Sequence, residues 1–156
     1  TWITYNLGWI EKENSGVKYS PRYDKRHNLS IVAGYTLPYD IKMGASWDFS
    51  TGTPFTPLKA SFSQPDIDNI VENPYYSQNK YYAVFGSKYS RRLPSYHKLD
   101  LNFSKEFSIW KLPKTEVSLN FTNIYDRANI FYYNLRSGER VNQLRFMVTG
   151  SIGVEI

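Results

Sequence analysis

Residues 145–156, RFMVTGSIGVEI, decide the fold of this chain, because they alternate between two kinds of side chain. The apolar or small ones occupy every second position: Phe146, Val148, Gly150, Ile152, Val154 and Ile156. A period of two predicts a β-strand with two unlike faces, since successive side chains of a strand point to opposite sides. The open question is whether the apolar face of this strand meets a protein core or lipid.

Five further segments carry the same alternation, with the apolar face on odd-numbered positions. They cover residues 1–9, 28–37, 41–50, 98–107 and 116–125. Val32 is an apolar exception on the even side, and Lys105 is a charged exception on the odd side, where a lysine near a strand end can snorkel. Each segment has roughly the length that a tilted strand needs to cross a bilayer, about nine to twelve residues.

The connections between the segments alternate between short and long. The short ones are LPYDI at 37–41 and SIWKLPK at 108–114. The long ones are residues 12–26, 52–94 and 127–140. Outer-membrane barrels place short turns on the periplasmic side and long loops outside. The pattern therefore favours a barrel whose last strand runs down to the periplasm.

The composition suits an interface that is oily on one side and wet on the other. Fourteen Tyr, nine Phe and four Trp make up 17% of the chain, and such rings favour an interface of this kind. No run of about 18 apolar residues occurs, so no transmembrane helix is predicted. The chain has no Cys, which excludes disulfides and thiolate metal sites. The net charge of +5 fits an anionic partner surface, or simple solvation.

Four stretches stand in a characteristic order along the chain. They are YDKRHNLSI at 23–31, TGTPFTPL at 51–58, RLPSYHKLDLNFSKEF at 92–107 and FTNIYDRANIFYYN at 121–134. Their order and spacing resemble the terminal barrel segments of TonB-dependent outer-membrane receptors. One departure is the final residue, Ile156, where that family usually has an aromatic residue.

The resemblance implies an all-β, antiparallel transmembrane β-barrel of about twenty-two strands in the bacterial outer membrane. Such a receptor holds an N-terminal plug and imports a scarce siderophore, vitamin, peptide or glycan with energy passed on by TonB. We expect residues 1–156 to be the C-terminal part of the barrel domain, supplying about its last six strands, because TWITYNLGWIE already begins inside a strand. The plug, the remaining strands and the segment that contacts TonB would then lie outside this chain. The resemblance implies no enzyme, no cofactor and no nucleic-acid partner.

The polar faces of the strands supply candidates for a lumen wall or a plug-docking surface. These are Lys42, Asp48, Lys98, Asp100, Asn102, Glu106 and Arg145. Asp100 lies in the Leu-Asp-Leu part of a resembling stretch and is the first candidate for a plug contact. A wetted lumen wall would also explain any single one of these residues.

Aromatic residues of the long loops are candidates for cargo binding by stacking on a sugar ring or an aromatic iron chelate. They are Tyr75, Tyr76, Tyr81, Tyr82, Phe131 and Tyr132. Packing within the loops is the ordinary alternative.

Basic residues near the outer ends of the strands are candidates for binding the phosphates of lipopolysaccharide. They are Arg22, Lys25, Arg26, Lys88, Arg91 and Arg92. Paired hydrogen bonds from arginine would favour such phosphates. Solvated loop charge is the ordinary alternative.

The two histidines, His27 and His97, begin separate strands, so the sequence predicts no metal site. No nucleophile with an adjacent base and no pair of catalytic carboxylates can be read from the chain. Two other classes of protein remain open. A passive porin-like barrel, or another outer-membrane barrel, would share the alternation, the loop asymmetry and the aromatic content. A soluble β-sandwich carbohydrate-binding module would need a second sheet to cover the apolar face.

Overall fold

The computed structural model describes residues 1–65, 79–107, 114–134 and 137–154, and these residues form an all-β fold. Its strands in chain order are β1 (Trp2–Leu7), β2 (Lys12–Asn14), β3 (Val17–Tyr19), β4 (His27–Leu37), β5 (Ile41–Ser50), β6 (Pro54–Phe55), β7 (Leu58–Pro65), β8 (Asn79–Phe85), β9 (Arg91–Arg92), β10 (Tyr96–Phe107), β11 (Thr115–Thr122), β12 (Ile130–Tyr133), β13 (Arg140–Asn142) and β14 (Met147–Val154). No helix in the described part of the chain has the length and apolar character to span a membrane.

Six of these strands form one antiparallel sheet in the order β1-β4-β5-β10-β11-β14. They correspond to the six alternating segments of the sequence, so the prediction of an antiparallel all-β fold is confirmed. In the described residues β1 pairs only with β4 and β14 only with β11, so the sheet has two edges and does not close.

Two predicted strand ends were wrong. The segment 116–125 was expected to stay extended, but β11 ends at Thr122 because Asn123 adopts a left-handed conformation with φ of 52°. The first segment was expected to reach Trp9, but β1 ends at Leu7, after which the Gly8 N–H donates to the carbonyl oxygen of Arg26 at 3.0 Å.

The strand registers bring the apolar positions of all six strands onto one face. Residues directly opposite each other in neighbouring strands share a face of the sheet. Ile31 lies between Ile3 and Trp47, and Phe121 lies opposite Val148. The apolar residues at even-numbered positions of β14 therefore lie on the same face as the apolar residues at odd-numbered positions of the other five strands.

This apolar face has no covering layer in the described part of the chain. No apolar side chain that the six main strands place on this face is buried, and strand residues such as Ile3 and Ile152 are 65% and 73% exposed. The exception Lys105 lies on the same face opposite Ile41 and Val117. A soluble sandwich would place a second sheet about 10 Å from such a face, and the described residues supply none.

The polar residues lie on the opposite face of the sheet. Asp48 is the direct partner of both Ser30 and Lys98, and Asp100 is the partner of Ser46. The sheet therefore has one apolar and one polar side, as the alternation predicted.

The connections lie at two different ends of the sheet. β4 and β5 are joined by the short turn Pro38–Asp40, in which Tyr39 has a φ of 65°. Residues 108–113 of the second predicted short turn fall outside the described residues. The long connections all leave at the opposite end, near His27, Ser50 and Tyr96, which we call the loop end.

Each long connection contains its own paired strands, which the sequence analysis did not predict. β2 pairs with β3, β7 with β8 and β12 with β13, and β6 pairs with β9. The β2–β3 turn places Ser15 and Gly16 at φ of 53° and 76°, the backbone of a tight hairpin in which glycine is favoured. Six of these eight strands contain only two to four residues, too few to show a period of two. β7 and β8 are longer, with eight and seven residues, and lie within the stretch 52–94 that the sequence analysis treats as one long loop.

Candidate functional site

The four stretches that carry the resemblance meet at the loop end of the sheet. Asp24 is 1% exposed, and its carboxylate forms an ion pair with the guanidinium of Arg92. Arg92 Nη1 also donates to the carbonyl oxygens of Asp24 and Gly52, both at 3.1 Å. The Ile10 N–H donates to Asp24 Oδ1 at 3.1 Å. The Asp24–Arg92 pair thus connects three chain segments: the loop before β4, which contains Asp24, the loop after β5, which contains Gly52, and the segment before β10, which contains Arg92.

Burial of the Asp24 carboxylate opposes its ionisation and would raise its pKa. The hydrogen bonds from Arg92 and from the Ile10 N–H, with the charges of Arg92 and Arg26, outweigh that effect, so the pKa of Asp24 is lowered. Asp24 therefore holds its charge at neutral pH. A charge in such a position is tolerated only while its partners stay in place.

Gly52 sits where two chain segments approach too closely for any side chain. A Cβ added at Gly52 would lie 1.5 Å from the carbonyl oxygen of Leu93. The Leu93 N–H donates to the carbonyl oxygen of Thr53 at 3.0 Å. The Thr51 N–H donates to the carbonyl oxygen of His27 at 3.0 Å, and the His27 N–H donates to the side-chain Oγ1 of Thr51 at 3.1 Å. The Thr-Gly-Thr-Pro stretch is therefore fixed between the starts of β4 and β10.

Asn123 organises the connection that follows β11. It is 1% exposed, and its amide Nδ2 donates to the carbonyl oxygens of Arg127 and Leu144 at 2.9 and 3.2 Å. Its Oδ1 accepts from the Arg127 N–H at 3.1 Å, and its own N–H donates to Asp100 Oδ1 at 2.9 Å. Asparagine tolerates the left-handed backbone that this turn needs.

Asn129 and Arg127 join the same connection to the start of β10. Asn129 accepts from the His97 N–H at 3.2 Å and donates to the His97 carbonyl oxygen at 2.8 Å. Arg127 donates to the carbonyl oxygen of Ser95 at 3.0 Å. We call the set formed by Asp24, Gly52, Arg92, Asn123, Arg127 and Asn129 the polar rim.

Arg145 lies before β14 and not within a strand. Its guanidinium binds both carboxylate oxygens of Asp126, at 2.7 and 2.5 Å, and the Phe146 N–H donates to Asp126 Oδ1 at 2.9 Å. These hydrogen bonds, with that from Arg145 the strongest, lower the pKa of Asp126 to about 2. The pair fixes the start of the last strand against the turn that follows β11.

The other six lumen candidates all lie on the polar face of the sheet. Asp100 pairs with Lys98 and accepts from the Asn123 N–H, and Lys42 pairs with Glu106. The two remaining candidates also bond within the chain: Asp48 accepts from Ser30 at 2.8 Å, and Asn102 donates to Asn120 at 2.5 Å. These residues form a network of cross-strand contacts along the polar face.

Each histidine is hydrogen-bonded to a tyrosine at the loop end of the apolar face. His27 Nδ1 lies 2.8 Å from the hydroxyl of Tyr5, and His97 Nδ1 lies 2.7 Å from that of Tyr125. The sequence did not indicate these partners, because the tyrosines come from different segments. Within the described residues, no three His, Asp or Glu side chains converge to form a metal-binding group.

Two adjoining cavities of about 540 and 760 Å³ open above the polar rim. Arg22, Thr53, Leu93 and Phe131 line both of them, so we treat them as one loop-end cleft. Their remaining charged lining residues are both basic, Lys25 in the smaller cavity and Lys88 in the larger one. The larger cavity is rich in aromatic residues: Phe55, Phe85, Tyr89, Phe131, Tyr132 and Tyr133.

The predicted loop residues divide between the cleft and other positions. Phe131 and Tyr132 line the cleft, whereas Tyr81 and Tyr82 lie in β8, where Tyr82 stacks on Phe62 at 5.5 Å. Tyr75 and Tyr76 lie outside the described residues.

The predicted lipopolysaccharide candidates divide in the same way. Arg22, Lys25 and Lys88 line the cleft. Arg92 belongs to the polar rim, and Arg26 Nε lies 3.9 Å from Asp24 Oδ2. Arg91 pairs with Phe55 in the short β6–β9 sheet.

Comparison of the chain with protein-family models, with curated proteins and with solved structures gave no match.

Proposed function

We propose that this chain forms part of an outer-membrane β-barrel that imports a scarce nutrient in the manner of a TonB-dependent receptor. The observation that carries the proposal is the six-stranded antiparallel sheet with one polar face and one apolar face, over which the described residues place no covering layer. In a membrane barrel the apolar face contacts acyl chains and the polar face lines the lumen. The arrangement of the polar face into ion pairs and amide contacts is suited to a wet interior.

The two open edges of the sheet support a larger barrel. Unpaired backbone groups cannot be satisfied in hydrocarbon, so a sheet spans a membrane only when other strands close it. β1 and β14 present such edges. Further strands of the same barrel, or another partner that pairs with both edges, are therefore part of the proposal.

The lengths of the strands and the positions of the connections agree with this assignment. The three central strands β4, β5 and β10 contain 11, 10 and 12 residues, and a tilted membrane strand needs about 9–11. The long connections all leave at the loop end, which we assign to the cell exterior. The polar rim holds the bases of these connections on a rigid frame, which favours cargo binding above it.

The membrane assignment is tested by cysteine labelling at two neighbouring residues of β14. Val148 lies opposite Phe121 on the apolar face, and Thr149 lies opposite Asn120 on the polar face. Residues 1–156 contain no cysteine, so each variant introduces the only thiol of this part of the barrel. In outer membranes, Val148→Cys should react with a membrane-partitioning maleimide and resist a charged one. Thr149→Cys should show the reverse. Rapid reaction of Val148→Cys with the charged reagent would contradict the barrel.

Import through a plugged barrel is distinguished from passive diffusion by reconstitution. Liposomes that contain the full-length protein should swell no faster in sucrose than protein-free liposomes, whereas a general porin of the same amount should cause rapid swelling. Swelling at the porin rate would contradict the importer and support the porin-like alternative, but it would not contradict the barrel assignment.

A further inference from the structure

We infer that the loop-end cleft binds a small anion built on a ring, such as an acidic sugar or a carboxylated aromatic compound. Arg22, Lys25 and Lys88 would bind its charge, and the aromatic lining would contact its ring. This inference deepens the proposed function and rests on it, because it names the chemical class of the imported solute.

The charge of the cleft favours an anion. Among the described residues, its lining contains three cations and no carboxylate. The nearby Asp24 is already bound to Arg92, and Arg22 and Lys25 form no ion pair within the described part of the chain. A concave site with one sign of charge concentrates the field and raises the local concentration of ligands of opposite charge.

The aromatic residues favour a ring. Phe55 and Tyr133 lie with their ring centroids 5.2 Å apart, and Phe131 and Tyr132 lie 5.3 Å apart in an edge-to-face arrangement. Lys88 Nζ lies 5.7 Å from the ring centroid of Tyr89, which lines the larger cavity, and 4.2 Å from that of Tyr19 behind it. These cation–π contacts hold the Lys88 charge next to the aromatic lining. A ligand with a flat or apolar ring face and a charged substituent matches both features.

The volume of each of the two cavities in the cleft suits a small solute. At about 540 and 760 Å³, each cavity by itself falls within the range of roughly 300–1,000 Å³ that ligand pockets usually occupy.

The phosphates of lipopolysaccharide could bind the same three cations, but the position of the cleft favours a free solute. Ser50 and Tyr96 line the smaller cavity, and they are direct partners in the register that forms the polar face. Lipopolysaccharide would meet the barrel on its apolar side. The cations Arg22 and Lys25 are therefore placed above the lumen and away from the lipid boundary.

The test uses pyranine, a pyrene ring that carries three sulfonates, as a water-soluble ring-shaped anion. Its binding to the full-length protein in zwitterionic detergent is measured by fluorescence anisotropy. Replacement of all three cleft cations (Arg22→Gln, Lys25→Gln, Lys88→Gln) should weaken pyranine binding by at least about tenfold, because three charge contacts are lost. A pyrene of similar size with trimethylammonium groups should not bind the unmodified protein.

A matched control removes the same number of charges outside the cleft. The variant Lys18→Gln, Lys59→Gln, Arg91→Gln should bind pyranine as the unmodified protein does. The charge-preserving variant Arg22→Lys, Lys25→Arg, Lys88→Arg should retain most of the binding, which excludes loss of fold as the cause. Equal loss in both glutamine variants, or full pyranine binding after removal of the cleft cations, would overturn the inference.

Two further measurements are needed. One distinguishes a free anion from lipopolysaccharide as the ligand of the cleft, and the other distinguishes failure of this inference from failure of the proposed function. Binding to vesicles that contain lipopolysaccharide should be unchanged in the cleft variant. If lipopolysaccharide binding falls while pyranine binding persists, the three cations belong to the lipid and the inference fails. Failure of the cysteine labelling at Val148 and Thr149 would reject the membrane barrel, whereas the pyranine result reports on the cleft itself.

Discussion

Asp24 and Arg92 form an ion pair although 68 residues of sequence separate them. Replacing Arg92 by Met should destabilise the protein by about 3 kcal/mol, because a buried carboxylate would lose its partner. The same change at the exposed neighbour Arg91 should have little effect. Unfolding by denaturant in lipid vesicles measures the free energy of unfolding of both variants.

A double variant tests whether the cost comes from the unpaired charge. Asp24→Asn combined with Arg92→Met should be less destabilised than the sum of the two single variants. Strict additivity would show that the two side chains act independently and would contradict the role assigned to the pair.

Gly52→Ala should destabilise the loop end strongly. The new methyl group would overlap the carbonyl oxygen of Leu93, and this contact involves backbone that cannot rotate away. Gly8→Ala is the matched control, because nothing lies within 4 Å of a Cβ at that position. Limited proteolysis of the loops in intact cells should show faster cleavage for Gly52→Ala alone. Equal cleavage of the two variants would contradict the close approach.

The contact between Asp126 and Arg145 should weaken in acid. The folded-state pKa of Asp126 is about 2, below its ordinary value of 3.8. The stabilisation is therefore present above the ordinary pKa of 3.8 and is lost as the pH falls through about 2. The free energy of unfolding of the unmodified protein should exceed that of Asp126→Asn at neutral pH, and the difference should shrink steadily below pH 4 and disappear only below pH 2. A difference that does not shrink between pH 4 and pH 2 would show that the carboxylate charge is not its source.

Val148→Arg should cost on the order of 2–4 kcal/mol near the bilayer midplane, whereas Thr149→Arg should cost much less. The two residues are neighbours in β14 but lie opposite Phe121 and Asn120, on different faces. Reversible folding into lipid vesicles measures the difference. Equal costs would contradict the assignment of the faces.

The six main strands could be predicted from the sequence because a period of two is a local property. Ile31 and Trp47 each follow the alternation of their own segment, and their pairing needs only neighbouring strands with the right register. The end of β11 could not be predicted in the same way. Asn123 leaves the strand because its side chain bonds to Arg127 and Leu144 and its N–H to Asp100, and two of these partners lie far along the chain.

The sequence supplies candidate residues for the site but not their arrangement. It makes Arg92 one of several loop cations that could bind lipopolysaccharide or remain solvated, whereas in the structure Arg92 is bound to Asp24 and to the Gly52 carbonyl oxygen. Nothing in the spacing of Arg22 and Lys88 indicates that they share a cleft. Such contacts depend on how long connections fold back on each other, and that information is distributed over distant residues.

The short turn Pro38–Asp40 also has a consequence for the order of folding. It lets β4 and β5 pair along their whole length, from Leu37 and Ile41 to Asn28 and Ser50, after closing a very small loop. Pairing of β5 with β10 requires the closure of a much longer loop, and its entropic cost must be met before any contact forms. Short loop closure therefore favours the β4–β5 hairpin as the nucleus of this sheet, whereas the Asp24–Arg92 pair, which joins residues 68 positions apart, carries the entropic cost of a much longer closure.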